Sequence, residues 1–251
     1  LLTASLLILN ISGCSFFNRD KYSFKEKNYY LNREIIKNYT AAIANISDNS
    51  FFFSERGRAK HDYGDHSGAI KDFNYSLKIN PDMKVIFYRA NTKFDYGDHK
   101  GAIKDYEKSI LIKDIKDQIF YNIASVQLIN FNYEAAINNY TKSIEYDPKD
   151  ASAYLNRGNA KFKKNDYIGA LDDYGESILI NKKSYITLNN IGVSKFYLKK
   201  YNSALENFKK SLKIYPNNYN TLYNKSLTHY ELKENKKACI DLKKSIKLGK
   251  E

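Results

Sequence analysis

The chain has 251 residues, a net charge of +13 and 43% hydrophobic residues, and its length predicts one large domain or two of ordinary size. Its 11 glycines and three prolines are about half the ~12% share usual for these two residue types, which argues against a turn-rich β protein, collagen or a flexible linker. The positive charge makes nucleic acid a partner to consider, and after residue 13 no apolar run is long enough to cross a bilayer.

Residues 1–13 form an apolar segment that ends in small residues directly before Cys14. This is typical of the later part of a secretory signal peptide, here truncated at its start. The ending Ile11-Ser12-Gly13-Cys14 resembles the signal of bacterial lipoproteins, in which the cysteine sulfur is linked to diacylglycerol. The resemblance implies a membrane-anchored protein outside the cytoplasm, on the periplasmic side or at the cell surface, with residues 14–29 as anchor and polar tether. The alternative is a chance Gly-Cys pair after a mis-assigned start, which would leave the protein in the cytoplasm.

A helix is predicted over residues 30–46, within a segment 30–49 that we interpret as a capping helix and linker. Its apolar side chains are spaced by three or four residues, at Leu31, Ile35, Tyr39, Ala42 and Ile46. We expect this helix to cover one end of the array that follows.

From residue 50 onward the sequence repeats with a period of about 34. Pro81, Pro148 and Pro216 follow one another at intervals of two periods. An alanine recurs once in every period, at Ala69, Ala102, Ala136, Ala170, Ala204 and Ala238. These markers define six units, 50–82, 83–116, 117–150, 151–184, 185–218 and 219–251.

We number the positions of each unit so that the recurrent alanine is position 20. Position 4 is large and apolar, position 8 is small, position 24 is aromatic or leucine, and position 27 is always serine. The glycines at position 8 are Gly57, Gly158 and Gly192. Apolar spacings of three and four, with a Gly-Asp break in the first two units, predict two helices of about 13 residues per unit. The small residues let backbones approach, and the rings fill the remaining space.

This pattern resembles the tetratricopeptide repeat (TPR), a helix-turn-helix unit of about 34 residues. The resemblance covers residues 50–251 and implies an all-α, right-handed α-solenoid of six TPR units with an N-terminal capping helix. One departure is position 11, aromatic in the family, which is lysine in four units: Lys60, Lys93, Lys161 and Lys195.

In TPR proteins the first helix of each unit lines a concave groove, and the resemblance implies the same here. Position 6 is asparagine in four consecutive units, at Asn122, Asn156, Asn190 and Asn224. Because a carboxamide both donates and accepts hydrogen bonds, this series suits the backbone of an extended peptide. Positions 5 and 9 add apolar walls and polar anchors, at Phe87, Tyr121, Leu155, Tyr223, Asn91 and Asn159. Alternatively, the asparagines are only solvated and the aromatic residues only pack between helices.

Neither an enzyme, a metal site nor a cofactor is predicted. His66 and His99 both occupy position 17, where later units have tyrosine, so we interpret them as packing residues without zinc-like spacing. The sequence has no Gly-rich phosphate loop and no nucleophile motif. Cys239 replaces the isoleucine or leucine of position 21, and we expect a buried free thiol.

The positive charge is concentrated near the C-terminal end, since residues 199–251 hold 13 lysines against five acids, a net charge of +8. Binding of a polyanion or nucleic acid through these units is therefore one alternative function, although only six of 41 basic residues are arginine, which argues against nucleic acid. A cytosolic co-chaperone-like adaptor is another, although position 5 lacks the lysine of the family's carboxylate clamp. Our main interpretation is a lipid-anchored, non-enzymatic scaffold that binds another protein of the cell envelope. The oligomeric state is left open.

Overall fold

The computed structural model describes the backbone of residues 25–249 and the side chains from Tyr30 onward. Within these bounds the chain forms thirteen α-helices and one short 3₁₀ helix, and no β-strand. No helix among them is long and apolar enough to cross a membrane. The predicted signal segment 1–13 and the predicted lipid site at Cys14 lie outside the described residues.

The helices are short and regular. Their bounds are α1 Lys25–Asn45, α2 Ser50–Tyr63, α3 His66–Ile79, α4 Met83–Tyr96, α5 His99–Ser109, α6 Lys116–Ile129, α7 Tyr133–Tyr146, α8 Ala151–Lys163, α9 Tyr167–Ile180, α10 Tyr185–Tyr197, α11 Tyr201–Ile214, α12 Tyr219–Glu231 and α13 Asn235–Leu248. All of them except the longer α1 and the shorter α5 are close to the predicted length. The 3₁₀ helix Lys113–Ile115 precedes α6. The capping helix α1 begins five residues before its predicted start at residue 30.

The described chain divides into two compact bodies, residues 25–130 with α1–α6 and residues 131–249 with α7–α13. Within each body every helix packs on the next one in the chain. This arrangement of successive helices without a sheet confirms the predicted all-α class.

The Gly-Asp breaks of the sequence each end one helix and begin the next. Gly64 and Gly97 have φ values of 96° and 90°, a left-handed conformation that glycine adopts without steric cost. Asp65 and Asp98 then accept a hydrogen bond from a backbone N–H of the following first turn, at 2.9 Å in both cases. These caps satisfy donors that have no partner inside the helix.

The left-handed conformation at position 15 recurs in the later units without glycine. The residues concerned are Phe131, Asn165, Lys199 and Lys233, with φ values between 59° and 64°. A residue with a β-carbon is strained in this conformation, asparagine less than the others. The packing of the two helices therefore imposes the turn on sequences that do not favour it.

The glycines of position 8 lie against the ring at position 24 of the same unit. A β-carbon added to them would be too close to that ring for any real contact. The added β-carbon would lie 2.8 Å from the Phe73 ring at Gly57, 2.6 Å from the Tyr174 ring at Gly158 and 2.5 Å from the Phe208 ring at Gly192. All three rings are fully buried, so in each of these units a large ring packs directly against the backbone of the glycine.

The other repeated residues of the pattern have distinct places. The alanines of position 20 are buried in all six units. The serine of position 27 ties the second helix to the start of the first, because Ser76, Ser211 and Ser245 donate to the carbonyl oxygen of position 1 at 2.8 Å. Pro81, Pro148 and Pro216 are exposed in the loops after α3, α7 and α11.

Cys239 is exposed, so the expectation of a buried thiol is wrong. The equivalent Leu205 of α11 is only 7% exposed, and α12 packs on α11. In the described part of the chain no helix follows α13 to cover the same face. The sequence pattern identifies the residues that face the next unit, but not whether that face is covered.

Candidate interaction surface

The asparagines of position 6 are buried, and Asn122, Asn190 and Asn224 each bond to a residue of the preceding first helix. In the body of residues 25–130, Asn122 of α6 donates from Nδ2 to Oδ1 of Asn91 on α4, at 3.1 Å. The same oxygen accepts the hydroxyl of Tyr106 at 2.7 Å. The carboxamide of Asn91, at position 9, thus bonds both to the next unit and to the ring at position 24 of its own unit.

The same arrangement recurs in the body of residues 131–249. Asn190 of α10 donates to Oδ1 of Asn159 on α8 at 3.0 Å, and that oxygen also accepts the hydroxyl of Tyr174 at 2.8 Å. Asn159 in turn donates to Oδ1 of Asn156 at 3.2 Å. Burial raises the pKa of Tyr174 well above its ordinary value, so its hydroxyl is a donor at neutral pH.

The last asparagine of the series has a different partner. Position 9 of the fifth unit is Val193, which has no side-chain acceptor, and Asn224 of α12 donates instead to Oδ1 of Asn189 at 3.0 Å. Asn189 donates to Oδ1 of Asn190 at 3.2 Å. We name the connected and fully buried set of five residues the carboxamide chain: Asn156, Asn159, Asn190, Asn189 and Asn224. It crosses the three first helices α8, α10 and α12.

The predicted apolar walls divide into buried and partly exposed side chains. Phe87 and Leu155 are each 8% exposed, and the Phe87 ring lies 5.9 Å from the Tyr106 ring inside the helix pair. Tyr121 and Tyr223 are partly exposed. Contact of these side chains and of the asparagines with a peptide stays a prediction.

Positions 7, 11 and 23 form a buried ion triad that we did not predict. In the first unit the guanidinium of Arg56 donates from Nη2 and Nε to the two oxygens of Asp72, at 2.7 and 2.8 Å. Lys60 Nζ lies 2.9 Å from Asp72 Oδ2. Two parallel N–H···O bonds and a second cation stabilise the buried carboxylate.

The same triad occurs in the second and fourth units, as Arg89, Lys93 and Asp105 and as Arg157, Lys161 and Asp173. Burial alone would raise the pKa of Asp105, but hydrogen bonds from Arg89 and Lys93 outweigh burial and hold the pKa below its ordinary value. The carboxylate is therefore charged at neutral pH. The lysine at position 11, where the family has an aromatic residue, is a partner of this carboxylate.

Each arginine of the triads also bonds to the second helix that precedes its unit. The acceptors all occupy position 25 or its equivalent in α1. The bonds run from Arg56 Nη1 to Thr40 Oγ1 at 3.2 Å, from Arg89 Nη1 to Asn74 Oδ1 at 2.7 Å and from Arg157 Nη1 to Thr141 Oγ1 at 3.1 Å. Position 7 thus connects successive units.

The sixth unit has a variant of the triad. Lys225 Nζ lies 2.9 Å from Asp241 Oδ1. His229 takes the place of the lysine, with Nδ1 2.5 Å from Glu234 Oε2 and Nε2 3.6 Å from Asp241 Oδ2.

The third and fifth units lack the acid, since position 23 is Asn139 and Asn207. Position 7 is isoleucine in both of these units, at Ile123 and Ile191. In the fifth unit Lys195 donates to Ser203 Oγ at 2.8 Å, and burial lowers the pKa of Lys195.

Two stretches of the second body match protein-family models. Residues 132–165 match a model described as TPR repeat, and residues 185–218, which are the fifth predicted unit, match the tetratricopeptide repeat model. The chain contains TPR repeats. TPR repeats generally act as non-enzymatic scaffolds for protein–protein interaction.

Solved structures share the TPR fold at low sequence identity. The C-terminal part of a TPR repeat-containing protein from Cytophaga hutchinsonii has a TM-score of 0.73 and 15% identity over 91% of this chain and 95% of that chain. YrrB, described as a TPR protein with an unusual peptide-binding site, has a TM-score of 0.63 and 17% identity over 74% and 97% of the two chains. The protein MamA has 0.62 and 22% over 66% and 91%. No curated protein matches the sequence.

The ion triad could have been found by comparing the TPR repeats with one another. A cation at position 7 and an aspartate at position 23 are both present in the first, second, fourth and sixth repeats and both absent from the third and fifth. Positions 7 and 11 are one helical turn apart and share a helix face. Joint occurrence across repeats therefore indicates contact between residues that each look like ordinary surface charges.

The histidines of position 17 lie beside other rings in the TPR repeats. His99 stacks on Phe94 with 5.6 Å between centroids, and His66 lies 5.4 Å from His61. Burial lowers the pKa of His61, which favours its neutral form. Among residues 30–249, no three His, Cys, Asp or Glu side chains converge on a point where a metal ion could bind.

Proposed function

We propose that this chain is a non-enzymatic scaffold that binds an extended peptide or a helix of another protein along the first helices of its TPR repeats. The observation that supports this most is the carboxamide chain, a fully buried hydrogen-bonded network that joins the first helices α8, α10 and α12 and so fixes the spacing of their exposed faces. The similarity in fold to YrrB, described as having a peptide-binding site, is consistent with this use of the repeats.

The spacing of the first helices suits an extended segment. Packed helices lie about 8–10 Å apart, and an extended peptide rises about 3.3 Å per residue. Exposed side chains at the same position of consecutive first helices would therefore meet about every third residue of a peptide that crosses them. The carboxamides are fully buried and bonded to one another, so contact with the peptide would come from partly exposed side chains such as Tyr223, which would favour apolar residues of the peptide.

The test uses a peptide selected against the whole chain from a displayed library of random sequences. Replacing Asn156 and Asn190 together by alanine should weaken its binding at least tenfold in titration calorimetry, because it breaks the network that joins α8 to α10.

Asn207→Ala is the matched control, because Asn207 is also buried in the same body but lies on α11, a second helix, and donates to the Ser203 carbonyl at 2.7 Å. It should leave peptide binding unchanged. Thermal unfolding of each variant shows whether the fold is retained. Unchanged affinity in the folded Asn156/Asn190 double variant would place the binding surface elsewhere and overturn the proposal.

We also propose that the scaffold is anchored to a bacterial membrane through lipid on Cys14, so that its partner is another envelope protein. The support is the resemblance of Ile11-Ser12-Gly13-Cys14 to lipoprotein signals. Metabolic labelling with an alkyne fatty acid should mark the wild type and Cys239→Ala, in which an exposed thiol is removed, but not Cys14→Ala. No label on the wild type, or undiminished label on Cys14→Ala, would contradict the anchor.

A further inference from the structure

The outward face of α13 has an apolar stripe that no described helix covers. Leu242 and Ile246 are 37% and 50% exposed, and Cys239 is exposed beside them. Spacings of three and four residues place the three side chains on one side of the helix. The equivalent Leu205 and Phe208 of α11 are 7% and 0% exposed, and α12 packs on that helix. The stripe thus lies on the surface, here called the seam, at which the second helix of an earlier repeat packs against the first helix of the next repeat.

Hydrogen bonds mark the same seam on the earlier helices. Ser177 and Ser211, at position 27, lie 3.3 and 3.4 Å from the hydroxyls of Thr187 and Thr221 on the following first helix. Ser245 has the matching position on α13 and remains almost fully buried. The seam of α13 therefore has the shape and the polar anchor that receive a helix in the preceding repeats.

The positive charge of α13 favours one kind of docked helix over another. The helix has five lysines, all exposed: Lys236, Lys237, Lys243, Lys244 and Lys247. Its one acid, Asp241, is buried and paired with Lys225. At a rotation of 100° per residue, Lys236, Lys243 and Lys247 border the apolar stripe along its length. A second copy of α13 would bring lysines against lysines, whereas an acidic helix would be attracted.

Lys243 also reverses a hydrogen-bond pattern of the earlier repeats. It occupies position 25, where Thr40, Asn74 and Thr141 accept a bond from the arginine at position 7 of the next helix. A lysine donates and cannot accept, so an acceptor on a docked helix would pair with Lys243 at that point. A carboxylate gives the strongest such bond. On α11 position 25 is also lysine, and Lys225 of the covering helix is held by Asp241 of its own repeat instead.

We propose that the open face of α13 is a docking site for an amphipathic helix of a partner protein, with a carboxylate opposite Lys243 and further acids beside its apolar stripe. The site uses a second helix and its lysines, whereas the proposed peptide surface uses α8, α10 and α12. Either proposal can therefore fail without the other.

The probe is a fluorescein-labelled peptide with the sequence of residues 216–232, which contain the helix that covers α11, changed by Lys225→Glu and His229→Glu. Fluorescence anisotropy with the whole chain should show saturable binding. Binding should weaken at least tenfold in the variant Leu242→Ser with Ile246→Ser, and at least tenfold in Lys243→Glu. The unchanged peptide, which keeps Lys225, should prefer Lys243→Glu to the wild type.

The matched control is Lys104→Glu with Lys108→Glu, two exposed lysines on α5, which should bind the acidic probe like the wild type. Lack of saturable binding to the wild type, or equal binding to Lys243→Glu, would overturn the proposal. So would two other results. One is binding of the chain to phosphatidylglycerol vesicles, lost on Lys243→Glu, without binding of the probe. The other is a dimer in sedimentation that Leu242→Ser dissociates, since it would make a second copy the occupant.

Discussion

The fourth and fifth TPR repeats have the same helices but different interiors. In both, a glycine at position 8 lies against a fully buried ring, and the helices of the two repeats match in length. The fourth repeat joins its helices through the triad of Arg157, Lys161 and Asp173. The fifth has Ile191 and Asn207 at two of these positions. The comparison teaches that ring-on-glycine packing forms the repeat and that the triad is an addition to it.

The triad has a role that packing alone does not supply. A buried ion pair is often no more stabilising than well-packed apolar residues, because desolvation offsets the attraction of the charges. Arg157, however, also donates to Thr141 on α7. We infer that each triad fixes how its repeat packs on the helix before it. In the fifth repeat, which lacks the triad, packing alone sets this contact.

The largest expected effect is that of Asp173→Ala. It leaves the charges of Arg157 and Lys161 without a partner, and we expect a loss of about 3 kcal/mol in the stability of the fourth repeat. Hydrogen exchange of the α8 and α9 amides measures this loss locally, since repeat proteins do not always unfold in one step.

Arg157→Ile with Asp173→Asn, which gives the fourth repeat the pattern of the fifth, is the control for that loss. It should cost about 1 kcal/mol or less, because it removes the buried Arg157–Asp173 pair whole and leaves only Lys161, which is partly exposed like Lys195 of the fifth repeat. A cost equal to that of Asp173→Ala would show that the triad itself, and not the packing, forms the repeat.

The next effect should be the same in both repeats. Gly158→Ala and Gly192→Ala each place a β-carbon against a buried ring, and we expect each to destabilise its repeat by about 1–3 kcal/mol. Gly175→Ala, on the partly exposed side of α9 with open space around it, should be neutral or slightly stabilising. Urea unfolding followed by circular dichroism measures these changes. A large cost in only one of the two repeats would break the comparison.

A smaller effect of opposite sign is expected at the turn between the helices. Lys199→Gly should stabilise the fifth repeat by about 1 kcal/mol, because it removes the strain of a left-handed lysine. Asn165→Gly should stabilise the fourth repeat by less, since asparagine tolerates this conformation. Thermal unfolding of the two variants measures the difference. Equal gains would contradict the assignment of strain to the lysine.

The smallest effect concerns the titration of Lys195. Burial lowers its pKa, so folding disfavours the charged form. The resulting cost is complete below the folded pKa and disappears as the pH rises above the pKa of the unfolded chain. NMR of ¹³C-labelled lysine side chains should show Lys195 titrating below ordinary lysines, and Ser203→Asp should raise its pKa. A titration of Lys195 at or above the ordinary value would remove this difference between the repeats.

The sequence is sufficient to predict the helix pairs, because a small residue at position 8 and a large one at position 24 must meet in every unit. It did not predict the environment of Asp173, because a charged residue on a helix is usually solvated and only its joint occurrence with Arg157 indicates a contact. The exposure of Cys239 depends on whether another helix covers α13, which no residue of the repeat encodes. The buried bonding of Asn190 was missed because its acceptor, Asn159, belongs to another repeat.

The central claim is that a peptide binds across α8, α10 and α12, whose spacing the buried carboxamide chain fixes, and side-chain NMR tests it without altering the protein. During titration with the selected peptide, the ¹⁵N–¹H₂ signals of Asn156, Asn190 and Asn224 should shift with one common dissociation constant. The signal of Asn207, on α11, should remain unchanged. Saturable peptide binding that leaves the three asparagine signals unmoved would contradict the account.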